Sequence, residues 1–261
     1  MPNNKTQPPS DAQISNFIEQ GFLRLDDAFP PELAVHARNV LWGAMALSPD
    51  NPKGWTQPII RLGLFSDPPF VTAANTPRLH AAYNVLVGDG RWLPPTGLGT
   101  FPIRFPSTED PGDLGWHVDM SFGTENADFM QWRVNIVSRG RALLMLFLFS
   151  DVGEVDAPTR IRVGSHTRIA RQLLPYGVEG LTLAQLASDG FAGTFNCHET
   201  LATGPAGTVY LCHPFLVHAA QPHRGKAPRF LAQPPLLPVG DFDPRLSPSP
   251  VQIAIRNACN L

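Results

Sequence analysis

The 28 prolines and 22 glycines are spread along the whole chain of 261 residues and are not gathered in one tract. Proline removes a backbone donor and glycine admits positive φ, so punctuation of this kind cuts a chain into short strands and turns and does not suit a helical bundle. Between these breaks the pattern has two textures. Residues 11–20 read as a helix capped by Ser10 or Asp11, with Ile14, Phe17 and Ile18 at helical spacing. Gly21 ends it, and Phe22 to Leu25 reads as a strand. A second helix starts at Pro31 and runs to about Leu47, and a third spans 77–87. The stretch 48–76, with five prolines, reads as irregular. From Gly97 onward the texture is strand and turn, with strands expected over 98–105, 115–120, 142–149, 160–163, 208–213, 216–220 and 229–234. Helices first and strands later predict an α+β chain, mainly β, whose helices pack on one side of a β-barrel or double sheet.

Hydrophobic residues make up 43% of the chain, enough for a sizeable core in a single domain over 1–261. Its expected parts are a disordered tail at 1–10, a mostly helical part at 11–96, a β core at 97–235 and a C-terminal tail at 236–261. A net charge of −2 carries no basic field, which argues against nucleic acid as a partner. The longest apolar run, 142–149, is too short to cross a bilayer. The first residues are polar and proline-rich, unlike a secretory signal. Three cysteines without CxxC spacing argue against a disulfide framework or structural zinc, so a reducing cytoplasm is expected. Oligomeric state has no sequence signature here.

Chemistry concentrates in two places. In the segment Trp116-His117-Val118-Asp119, an extended backbone points His117 and Asp119 to one face and Val118 to the other. An imidazole and a carboxylate on one rigid strand suit a divalent metal. The richest source of a third ligand is the segment holding His213, His218 and His223. His213 and His218, five apart, cannot share a face of one strand, and His218 lies in an apolar, strand-like stretch. His117, Asp119 and His218 together make a two-histidine, one-carboxylate facial triad, which leaves coordination positions open on Fe(II). Arg229 follows His218 by eleven residues, and a turn over 221–228 would let the two strands lie antiparallel, aiming a guanidinium fork at the site. Arg104, in a second strand, is a further interior cation for a co-substrate carboxylate or an acidic substrate. Arg160 and Arg162 share a face by parity and are solvated edge charges or a substrate contact. Trp116 and Trp132 read as core or pocket wall. Glu109, Asp110 and Asp113 are expected to face water, and the loops 107–113 and 121–128 could form a lid.

These residues resemble the phytanoyl-CoA dioxygenase family of Fe(II)- and 2-oxoglutarate-dependent oxygenases. The segment 216–229, from Leu216-Val217-His218 to Pro228-Arg229, is similar to that family's distal-histidine segment without a gap. Trp116-His117-Val118-Asp119 resembles its WHxD, Gly164-Ser165-His166 its Gly-Ser-His, and the opening at Gly21-Phe22 its strand before a helix. The likeness spans roughly residues 12–235. It implies a double-stranded β-helix (jelly-roll, cupin-like) core with the N-terminal helices packed on one sheet. It also implies iron held by His117, Asp119 and His218, and 2-oxoglutarate held by Arg229, with Arg104 as a second candidate. Dioxygen would then oxidise a small organic substrate, with hydroxylation expected and succinate and CO2 released. Three departures stand out: Val163 replaces a proline, Ala220 stands where a small hydroxyl residue is usual, and the aromatic customary on the strand after the first motif has no clear match in 142–149. Only three lysines are present, so a CoA thioester is not favoured. The alternatives are another divalent-metal cupin-like enzyme (a hydrolase or isomerase) and a catalytically silent jelly-roll binding protein.

Overall fold

The computed structural model describes residues 7–242 and 245–261. Of the tail expected to be disordered over 1–10, residues 1–6 lie outside the described residues, while Pro9 is buried and Ser10 caps the first helix. Helix α1 (Asp11–Gln20) opens with a reciprocal capping box between Ser10 and Gln13. It closes at Gly21, whose φ of 88° lets its N–H reach the Phe17 carbonyl. A Cβ at Gly21 would sit 2.4 Å from His166 Nδ1, so only glycine fits both the turn and the close approach.

Strand β1 (Phe22–Leu25) and helix α2 (Pro31–Met45) follow. The stretch expected to be irregular holds strand β2 (Ile59–Leu62) and helix α3 (Pro68–Ala74), before helix α4 (Pro77–Leu86). Prolines that look like breakers open these helices, because the first helical N–H has no intrahelical partner to lose. Strands β3 (Phe101–Arg104), β4 (Arg133–Val134), β5 (Leu143–Leu148) and β6 (Thr159–Arg162) come next. Helix α5 (Ser165–Leu173) was not expected. Gly164, at φ 75°, stands at its N-cap and supplies no capping side chain, so the usual start signal is missing. Strand β7 (Leu181–Thr182) leads into the single turn α6 (Leu183–Leu186). Strands β8 (Glu199–Ala202), β9 (Val209–Cys212), β10 (His218–Ala219), β11 (Leu231–Ala232) and β12 (Pro235–Leu236) precede helix α7 (Pro250–Cys259). The C-terminal segment is thus no loose tail. Ser249 and Gln252 form a capping box, and Val251, Ala254, Ile255 and Ala258 are buried, with α7 against α1 and α5.

The fold is mixed α+β with antiparallel sheets. The larger sheet runs β1-β9-β5-β11, with β12 also on β5, and the smaller runs β10-β6-β8. Strands β2 and β3 pair with each other, as do β4 and β7, and among the described residues the strands close no continuous barrel. Strand β5 explains the layering. All six of its residues are buried. Leu143, Met145 and Phe147 join a core that includes residues of α1 to α4. Leu144, Leu146 and Leu148 pack with Ile161, Ala202 and Leu216 of the other sheet's side. A strand covered on both faces reads as an unbroken apolar run, which is why 142–149 carries no alternation. A third cluster lies beyond the smaller sheet, where Val118, Phe215 and Val217 meet α5 and α7. No helix among the described residues is long and apolar enough to cross a membrane.

Candidate active site

His117 and His218 are drawn together by backbone pairing. The His117 N–H donates to the His218 carbonyl at 2.9 Å, and the His218 N–H returns to the His117 carbonyl at 3.0 Å. This isolated bridge is all that remains of the strand expected over 115–120. On its other side β10 pairs with β6, so His218 is braced across from Ile161. Val118 is buried in the cluster against α5 and α7, which leaves His117 and Asp119 on the opposite face.

The two rings are held alike. His117 Nδ1 lies 3.0 Å from the Gly115 carbonyl, and His218 Nδ1 lies 3.0 Å from the Leu216 carbonyl. A carbonyl only accepts, so each Nδ1 carries the proton and each Nε2 presents a lone pair. Those Nε2 atoms stand 3.8 Å (His117) and 3.7 Å (His218) from Asp119 Oδ1. The separations are too long for hydrogen bonds, and His218 Nε2 is buried without a partner. Ligand atoms sharing one ion at about 2.1 Å each lie roughly 3 to 4 Å apart, so the spacing fits a cation among them. All three ligand atoms fall within 4.8 Å of one another. Burial, then the neighbouring His117, pushes His218 down to about 4, so its imidazole is neutral and able to ligate at physiological pH. Burial would raise the Asp119 carboxyl, but Arg141 and the two histidines together hold it below the ordinary value.

Arg141 was not singled out in the sequence. It stands just before β5 and is 8% exposed. Its Nη1 lies 3.3 Å from Asp119 Oδ2, and its Nη2 donates to the Met120 carbonyl at 3.1 Å. The carboxylate oxygen that faces away from the histidines is therefore occupied. The available signal was a charged residue opening an otherwise apolar strand.

Two cavities meet at these ligands. The inner one, about 330 Å³, is lined by Arg104, Arg229, Thr159, Ala220 and Gln233 as well as the three candidate ligands. Arg104 and Arg229 face each other across a second isolated bridge, and each is only 2% exposed. Arg229 Nη1 donates to the Ala157 carbonyl, and Nη2 donates to the Pro102 carbonyl at 2.9 Å. Burial, with Arg104 adding to it, pushes Arg229 down to about 9, which leaves it charged at neutral pH. Arg104 Nη2 lies 2.7 Å from both oxygens of Asp113, and Arg61 Nη2 lies 2.6 Å from one of them. Asp113, expected to face water, is instead a wall of the cavity, because two guanidiniums capture it. The outer cavity, about 740 Å³, shares Thr100, Asp113, His117, Asp119 and Gln233 with the inner one and is otherwise walled mainly by apolar side chains.

Other expectations fall elsewhere. β10 and β11 do not pair with each other as the turn over 221–228 suggested; they lie in different sheets, and the connection crosses between layers. Arg160 and Arg162 stack on the Trp116 ring at 4.4 and 4.0 Å, and Arg160 also pairs with Glu199. They buttress the wall and do not line either cavity. His213 is buried, with Nε2 3.2 Å from the Val251 carbonyl, and is not in the ligand group.

No family model and no curated protein matches the chain. Solved structures do. It is similar to HygX from Streptomyces hygroscopicus with nickel and 2-oxoglutarate bound, at 19% identity over 86% of this chain and 85% of that one, with a TM-score of 0.54. The carbocyclase SnoK from nogalamycin biosynthesis, described as non-heme and alpha-ketoglutarate-dependent, gives 15% identity, 93% and 95% coverage, and a TM-score of 0.58. EctD from S. alaskensis gives 19%, 87% and 76%, and 0.52. At these identities the likeness is one of fold.

Proposed function

We propose that this chain is a single-domain Fe(II)- and 2-oxoglutarate-dependent dioxygenase of the phytanoyl-CoA dioxygenase type, which hydroxylates a small organic substrate. The facing sheets are its double-stranded β-helix core, and the whole of 1–261 is one oxygenase domain. Its three free cysteines, Cys197, Cys212 and Cys259, suit a reducing cytoplasm. The observation that carries the reading is the position of the ligand group. His117 Nε2, Asp119 Oδ1 and His218 Nε2 converge where a small cavity with two buried arginines opens into a larger apolar one. Solved neighbours of this fold hold nickel or iron, and 2-oxoglutarate, which supports the same assignment here.

In this reading His117, Asp119 and His218 hold the iron. Iron held there with 2-oxoglutarate would supply the oxidising chemistry for a substrate C–H bond at the expense of dioxygen, with succinate and CO2 as the co-substrate's products. The chain's own part is positional. The Gly115 and Leu216 carbonyls keep the Nδ1 protons in place and so fix both ring orientations. Arg141 occupies Asp119 Oδ2, which leaves Oδ1 as the oxygen that would face the metal. Arg229, pinned by two carbonyls, offers the rest of its fork to the distal carboxylate of 2-oxoglutarate, and Arg104 adds a second positive charge behind it. Arg160 pairs with Ala219, so one step along the register Thr159 lies opposite Ala220. The hydroxyl missing at 220 is thus supplied from the neighbouring strand, in the same cavity. The apolar walls of the outer cavity exclude water from the substrate side.

The test is anaerobic titration. Protein loaded with Fe(II) under argon should develop a visible charge-transfer absorption on adding 2-oxoglutarate, and air should then yield succinate. Failure of both in iron-replete protein overturns the reading, and metal-dependent turnover without 2-oxoglutarate would favour a hydrolase or isomerase on the same ligands.

A further inference from the structure

The outer cavity combines an apolar wall with a buried guanidinium. Its wall is formed chiefly by Trp116, Met120, Phe129, Met130, Trp132 and Leu183. Trp132 Nε1 already donates to the Asn126 carbonyl at 2.7 Å, so that indole offers an apolar face and no free donor. Indole faces and thioethers favour a flat, polarisable ring over a hydroxyl-rich molecule. The charged members of the lining are Asp113, held by Arg104 and Arg61, Asp119, which belongs to the ligand group, and Arg141.

Arg141 is not saturated. Of its five N–H donors, Asp119 Oδ2 and the Met120 carbonyl are the acceptors the structure provides, and its Nε is buried without a partner. A buried guanidinium with spare donors is a receptor for an oxyanion. The charge balance agrees. A divalent ion and a dianionic co-substrate cancel, Asp119 offsets Arg141, and Asp113 is shared between Arg104 and Arg61. Arg229 is left over, so the loaded site retains a positive charge that an anionic substrate neutralises.

Resting on the oxygenase reading above, we propose that the primary substrate is an apolar, ring-bearing monocarboxylate. Its acid group sits on Arg141, and its ring lies against the Trp116 and Trp132 wall. This places the acid a few ångströms from the Asp119 ligand and the apolar body along the cavity, and it makes Arg141 the residue that sets substrate class.

The experiment compares 2-naphthoate with 2-naphthamide, which match in shape and differ in charge. Binding to Fe(II)- and 2-oxoglutarate-loaded protein under argon is followed by calorimetry and by quenching of tryptophan fluorescence. The acid should bind at least about tenfold tighter than the amide, as a charge-assisted pair contributes more than a neutral one. In Arg141→Gln samples that show the charge-transfer absorption, that preference should vanish while amide affinity persists, and Arg141→Lys should keep part of it. Equal binding of acid and amide by the wild type, binding of neither, or survival of the preference in Arg141→Gln overturns the proposal. If Arg141→Gln does not fold, the wild-type comparison decides alone. The charge-transfer absorption, read in the same samples before either probe is added, reports separately on the oxygenase reading. Its absence sinks that reading, whereas its presence without acid preference sinks only the substrate class.

Discussion

Replacing Arg229 by glutamine asks whether the buried fork is there for the fold or for an anion. Arg229 is 2% exposed and lies beside Arg104, and burial above all pushes its guanidinium down to about 9. A charge held under such conditions does not stabilise the fold, so its loss should be tolerated. Against that, the carbonyls of Ala157 and Pro102 lose donors, and a glutamine amide restores at most part of this. The two effects oppose, and the thermal midpoint should move by no more than about 3 °C. The co-substrate should respond very differently. Hydrogen bonds to a charged group contribute about 1.5–3 kcal/mol each, and part of the fork is already used, so a loss of about 3 kcal/mol is expected. That weakens 2-oxoglutarate binding roughly 150-fold. Arg229→Lys, which keeps the charge without the fork, should fall between. Arg104→Gln should cost only about tenfold, since Asp113 already claims that guanidinium at 2.7 Å. Calorimetry on iron-loaded protein under argon measures all three. A change below threefold in Arg229→Gln, with the fold intact, would refute the assignment of Arg229 to the co-substrate.

Other outcomes follow from the same geometry. His218→Ala should abolish iron binding in an anaerobic titration. His213→Ala should leave iron affinity intact and lower stability by about 2–4 kcal/mol, since its ring is buried and joins the Val251 carbonyl to the Phe215 N–H; the reverse pattern would show that the wrong histidine was chosen. Burial holds His166 at about 4 against an ordinary 6.5, so the unfolded chain takes up a proton that the folded one refuses. Its contribution is complete above pH 6.5 and is lost as pH falls toward 4, by about 3 kcal/mol, and urea titrations across that window should be flatter in His166→Gln. Gly21→Ala should lower stability by about 2–4 kcal/mol, because φ is 88° and the new methyl meets His166 Nδ1 at 2.4 Å; an unchanged denaturation midpoint would contradict this.

What could be read from the chain alone was local. The i, i+2 spacing of His117 and Asp119 places both on one face as soon as the backbone is extended, and Val118 turns the other way whatever the strand pairs with. Capping residues such as Ser10 and Gln13, and the apolar run that becomes β5, are likewise signals contained in a few consecutive residues. The apolar setting of His218 and the eleven-residue spacing to Arg229 added these two to the site in sequence terms, and the resemblance pointed the same way. Tertiary structure decided the rest, because nothing periodic links residues so far apart. Pairing of the His117 and His218 backbones, not a shared strand, brings the imidazoles side by side. Two guanidiniums turn Asp113 from a solvent-facing acid into a cavity wall, and Arg141 becomes a neighbour of Asp119 only once β5 is buried. The two stacked arginines on Trp116 look in sequence like charges at an edge. A strand pattern specifies which face a side chain occupies; which distant charge stands opposite it is set when the layers close and burial forces each ionic group to find a partner.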